Sequence, residues 1–114
     1  MAAIGVRLAD FLRDAMELPE VELRDGALRV HGRPFAYLME DVVRLKALLQ
    51  EQAALIEHDP VAYSAAEVSG RYGWVQVRLA RVRRDELAEL VDEAWSHSAP
   101  KKLIVARRKG RPVG

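Results

Sequence analysis

Apolar and polar residues alternate along this chain with a period that changes several times, and each change marks an element. In residues 4–18, IGVRLADFLRDAMEL, the residues Ile4, Leu8, Phe11, Leu12, Ala15 and Met16 recur at spacings of three and four, with Arg7, Asp10, Arg13, Asp14 and Glu17 opposite them. That is one apolar face of a helix. Pro19 ends it, because proline disfavours helical geometry in the residue before it. The period then drops to two. Val21-Glu22-Leu23-Arg24 and Leu28-Arg29-Val30-His31 alternate on either side of Asp25-Gly26, a dipeptide whose residues tolerate the positive φ of a tight hairpin. Gly32-Arg33-Pro34 reads as a second turn, leading into Phe35–Met39 and, after Glu40-Asp41, Val42–Lys46. The pattern predicts an antiparallel meander with one buried face.

Leu45, Leu48, Leu49, Ala53, Leu55 and Ile56 predict a second helix over about 47–57, stopped by Asp59-Pro60. Residues 63–71 carry no clear period and read as a loop or irregular edge. From Gly73 to Leu79 the chain alternates again, with Trp74, Gln76 and Arg78 on one face and Val75, Val77 and Leu79 on the other; aromatic and β-branched residues at this density favour a strand. Leu87, Leu90, Val91, Ala94 and Trp95 fit a last helix, with Asp85 and Glu86 in the first turn, where the helix dipole favours negative charge. Pro100 closes it. Runs of strands, rather than strict strand–helix alternation, predict an α+β fold with helices on one face of an antiparallel sheet.

The 114 residues suit one domain and a core without staples. The absence of cysteine excludes disulfides, thiolate metal sites and a cysteine nucleophile. The opening MAAIG lacks a charged n-region followed by a long apolar run, so no secretory signal is expected. No apolar stretch nears the ~20 residues that span a bilayer. A cytoplasmic protein without a membrane partner is expected.

The formal charge of +1 conceals a split: residues 1–100 carry 12 basic and 17 acidic groups, whereas residues 101–114 carry six basic and none acidic. Residues 1–100 are therefore read as a single domain, and 101–114 as a basic tail. Its cations could neutralise phosphates with release of counterions. The same tail could instead be a solvated end, or lie on the acidic face of the last helix formed by Glu86, Glu89, Asp92 and Glu93. Leu103-Ile104-Val105 within it favours docking. Fourteen arginines against four lysines, with no threonine or asparagine, fit a GC-rich coding bias as well as phosphate binding.

No catalytic constellation emerges. His31, His58 and His97 lack the HxxxH or HxH spacing of paired zinc ligands. The serines lack a GxSxG elbow, and Gly70-Arg71-Tyr72-Gly73 precedes a strand rather than the helix that phosphate loops require.

Taken in order, several segments resemble the MmcQ/YjbR family of small bacterial proteins: Glu17-Leu18-Pro19, Gly32-Arg33-Pro34-Phe35-Ala36, Leu45-Lys46, Asp59-Pro60, Gly70-Arg71-Tyr72-Gly73-Trp74-Val75, Asp85-Glu86-Leu87 and Ala99-Pro100. The resemblance covers roughly residues 6–102 and is most specific at Gly-Trp-Val. It implies a two-layer α-β(3)-α-β(2)-α fold, shaped like secretion chaperones, with a short strand near Ala66–Ser69. It also implies a lysine at the end of the third strand, matched by Lys46, and a DNA-binding role suggested by the shape of the fold. The basic tail lies outside it.

The sequence thus leads to a non-enzymatic binding domain with no metal and no cofactor. Nucleic acid is the expected partner, through phosphate contacts from Lys46, Arg71, Lys101, Lys102, Arg107, Arg108 and Lys109. Base-specific readout is not expected, because no helix carries a cationic or Asn/Gln face. The alternative is a protein-interaction module, chaperone-like or homodimerising. A deep pocket lined by Trp74, Tyr37 and Lys46 would instead indicate a small enzyme or ligand binder.

Overall fold

A computed structural model describes residues 4–109, with the backbone alone for Val68 and Ser69. The order is α1 (Leu8–Ala15), β1 (Val21–Arg24), β2 (Ala27–Val30), β3 (Arg33–Leu38), β4 (Val42–Leu48), α2 (Leu49–His58), β5 (Tyr63–Ser69), β6 (Tyr72–Arg78), α3 (Arg84–Ser96) and α4 (Lys101–Lys109), with a single 3-10 turn at Leu79–Arg81. The strands form one antiparallel sheet in the order β1-β2-β3-β4-β6-β5. The fold is α+β, with one more strand in the first run than the resemblance implies.

Local chemistry accounts for the hairpins. Asp25 and Gly26 both take positive φ (53° and 73°) between β1 and β2, as a two-residue primed turn requires. The second turn lies one residue earlier than the sequence suggests. His31 and Gly32 supply its positive φ (50° and 79°), so Arg33 and Pro34 open β3. A proline fits there because β3 pairs with β4 only from Ala36 to Leu38, and the β2 register shifts at Leu28/Arg29; neither side presents an unbroken ladder.

Alternation in the two central strands separates the sheet's faces. Val43, Leu45, Ala47, Gly73, Val75 and Val77 are buried. They join Phe11, Ala15, Leu87, Val91, Ala94 and Trp95 in one core, and α2 covers the same face, with Gln52 and Leu49 against Gly73. The opposite parity, Arg44, Lys46, Tyr72, Trp74 and Gln76, stays half-buried, and Arg78 is exposed.

Two boundaries differ from the expected pattern, and an open alternative is decided for the irregular edge. Residues 4–7 are not helical: Gly5 takes φ 106° and its N–H donates to Val82, while Val6 donates to Leu79. Ala47 and Leu48 belong to β4, where they pair with Gly73 and Tyr72. Residues 63–69 form a full edge strand with a bulge between Ala65 and Glu67, and that bulge is why no simple period was legible. No helix is long and apolar enough to cross a membrane among the described residues.

Candidate functional site

Where β3 and β4 diverge beyond Ala36, the end of α3 fills the gap. Ser98 Oγ donates to the Pro34 carbonyl at 3.0 Å. Lys46 Nζ donates to Ser98 Oγ at 3.2 Å and to the His97 carbonyl at 3.4 Å, and sits 4.9 Å from the centre of the Tyr72 ring. Burial holds the Lys46 ammonium below its ordinary pKa, and Arg33 adds to the effect. Lys46 therefore ties the last turn of α3 to the sheet.

Beside it, His97 Nε2 lies 3.0 Å from Glu51 Oε1 and the imidazole stacks at a tilt 5.2 Å from Tyr72. The same Glu51 oxygen accepts the Leu48 N–H at 2.9 Å, so the start of α2 orients it. Glu93, one turn before His97 on α3, completes a group whose three ligand atoms all lie within 4.8 Å of one another. The Glu93-x-x-x-His97 spacing was visible in the sequence. Its partner Glu51 was not, because the start of α2 meets the end of α3 only in the folded chain.

The open face of the sheet forms a second, larger feature. Tyr37 and Trp74 meet edge-on with ring centroids 4.8 Å apart. Arg44, paired with both Tyr37 and Gln76, donates to Gln76 Oε1 at 3.3 Å. An open groove of about 390 Å³ runs past Asp25, Tyr37, Arg44, Glu67 and Trp74. It contains two of the three residues expected of a ligand pocket. Lys46, the third, does not line it. Arg78 continues the same parity along β6, and Arg71 is exposed in the β5–β6 turn with its guanidinium 5.8 Å from the Tyr72 ring.

The basic segment adjoins the first of these features, since Glu93 lines a surface recess together with Arg107 and Arg108. Residues 101–109 form α4, seated through Leu103 and Ile104 on the core. Arg107 chelates Asp92 on α3 at 2.8 and 3.3 Å, with its guanidinium 5.9 Å from the Trp95 ring. This is the docking anticipated for the tail, made through Asp92. Lys101, Lys102, Arg108 and Lys109 are exposed. Arg111 lies outside the described residues. Of the seven anticipated phosphate contacts, then, Lys46 and Arg107 are engaged within the fold, and Arg71 stands apart from the α4 cations. His31 pairs with Glu20 at 2.8 Å, and His58 is exposed at the end of α2.

The YjbR family model matches residues 16–97, a span that contains Lys46, the Tyr37–Trp74 face and His97 but not α4. Uncharacterized proteins of Mycobacterium bovis and of two Mycobacterium tuberculosis strains are 42% identical over 53 residues, 46% of this chain. The chain spans 41% of the length of these relatives. No solved structure matches it significantly.

Proposed function

We propose that this chain, which belongs to the YjbR family, is a non-enzymatic cytoplasmic domain that binds single-stranded nucleic acid on the open face of its sheet. The observation carrying the reading is the half-exposed Tyr37–Trp74 pair set beside Arg44, with Arg78 further along the same face. Stacking of bases on aromatic rings contributes about 1–3 kcal/mol per base and tolerates any sequence, while arginines along the path neutralise phosphates. An antiparallel face with helices behind it can present both at once. Duplex recognition would use the exposed Lys101, Lys102, Arg108 and Lys109 of α4 instead, but the central Arg107 of that helix is engaged by Asp92 and no base-reading Asn or Gln accompanies these cations.

Trp74 reports on the interaction directly. The second tryptophan, Trp95, is fully buried with its indole N–H donated to the Pro19 carbonyl at 3.0 Å. Oligothymidylate should therefore quench and shift the Trp74 emission. The affinity should fall with salt at a logarithmic slope of about −2, as two or three phosphate contacts on a single strand require. Absence of quenching and of anisotropy change at low salt with tens of micromolar protein would exclude the reading.

A homodimer through the edge strand β1 is the second reading, favoured by Leu23, which is 49% exposed there. Glu22 and Arg24 flank it, forming an ion pair at 3.2 Å; charges on an edge discourage strand addition. A dimer of this kind would persist at high salt in light scattering.

A further inference from the structure

We propose that Glu51, Glu93 and His97 form a binding site for a divalent first-row transition ion, with zinc the best match. The inference is independent of the nucleic-acid reading. One imidazole and two carboxylates suit zinc and its neighbours, whereas magnesium and calcium favour oxygen alone. Three protein ligands with a remaining position for water is the arrangement of open zinc sites.

The geometry is partly assembled. Metal–ligand distances near 2.1 Å place the ligands of a tetrahedral ion about 3.4 Å apart. His97 Nε2 and Glu51 Oε1 are 3.0 Å apart, and the Glu93 oxygen falls within 4.8 Å of both. Glu93 is exposed, and its carboxylate would move closer to complete the set. The i, i+4 spacing places it on the same face of α3 as His97.

The other two ligands are held by their surroundings. The His97 side chain is only 11% exposed and its carbonyl is fixed by Lys46 Nζ. Glu51 is fixed by the Leu48 N–H. Outer bonds of this kind orient ligands before a metal arrives. The neighbouring cation Lys46 directs its ammonium to the His97 carbonyl and Ser98 Oγ, and Glu93 also borders a recess lined by Arg107 and Arg108. Binding would clamp the start of α2 to the end of α3.

The simpler role for the His97–Glu51 contact is an interhelix hydrogen bond without metal, and Glu93→Gln separates the two. Glu93 makes no part of that hydrogen bond, so the variant should fold as the parent does. Untagged full-length protein titrated calorimetrically with zinc chloride in a non-chelating buffer is expected to bind one ion per chain. Glu93→Gln should weaken binding at least about tenfold, and His97→Asn should do likewise if it folds. The His31→Asn/His58→Asn double variant should match the parent, and magnesium should not compete. No zinc binding by the parent, or equal affinity in the parent and Glu93→Gln, would overturn the site.

Discussion

Gly73 illustrates how much a single residue carries here. It lies in β6 on the helix-facing side, where a Cβ would run into the Gln52 amide and come within 2.7 Å of the Glu67 carbonyl. Gln52 is itself 3% exposed and donates to the Ala47 carbonyl at 3.3 Å. The Glu67 carbonyl is backbone in the neighbouring strand and cannot swing aside. Gly73→Ala should therefore destabilise by roughly 1–3 kcal/mol, the usual cost of overpacking, read as a lower urea midpoint with an unchanged slope. The sequence shows Gly-Trp-Val but not this reason for its glycine, because the clash comes from residues distant in the chain.

Asp14 and Arg84 join α1 to α3 through two bonds of 2.7 Å. The Arg84 guanidinium holds the Asp14 carboxyl below its ordinary value of 3.8, against a smaller opposing effect of burial. The unfolded chain thus takes up this proton at a higher pH than the folded one. The pair's stabilisation is full above 3.8 and is lost as pH falls through the lower, folded value. Asp14→Asn should accordingly be less stable than the parent at pH 7, and in urea titrations the difference should shrink progressively as the pH is taken below 3.8.

At the scale of elements, periodicity identified those whose sides differ. Alternation in Trp74–Leu79 assigned both faces of β6, and the burial of Val75 and Val77 follows it. It failed where distant hydrogen bonds decide. Ile4 and Val6 continue an apolar helical pattern, yet Gly5 and Val6 donate to the chain beyond β6, and α1 starts at Leu8. The strand end at Ala47-Leu48 resembles the start of a helix until β6 pairs with it.

Residues 101–109 show the same principle in electrostatics. Their composition allowed three fates, and the position of Asp92 one turn from Trp95 selects docking. Replacement of Arg107 by alanine removes a bidentate pair and a cation–π contact, at a cost of roughly 1 kcal/mol. Amide exchange should then quicken in α4 while β4 and β6 stay protected.

For the molecule as a whole, net charge by region directed attention to the last fourteen residues, whereas the geometry favours the other side of the protein. Aromatic residues on β3 and β6 and an arginine on β4 become one surface only when the strands pair in register, Tyr37 with Arg44 and Arg44 with Gln76. No spacing along the chain encodes that juxtaposition. The fold class was legible because burial periodicity is local; of the candidate interface only Tyr37 and Trp74 were anticipated, with Lys46 in place of Arg44, because the surface is assembled across three strands.

That contrast permits a direct comparison. Binding of labelled oligothymidylate should be measured by anisotropy at low salt for the parent, a Tyr37→Ala/Trp74→Ala variant and a chain truncated after Pro100. If the sheet face is the interface, the double variant loses at least about tenfold in affinity, the equivalent of one stacked base, and the truncated chain stays within about threefold of the parent, since its lost cations lie on the helical side. The reverse pattern, with binding abolished by truncation and unaffected by the two aromatic replacements, would contradict it.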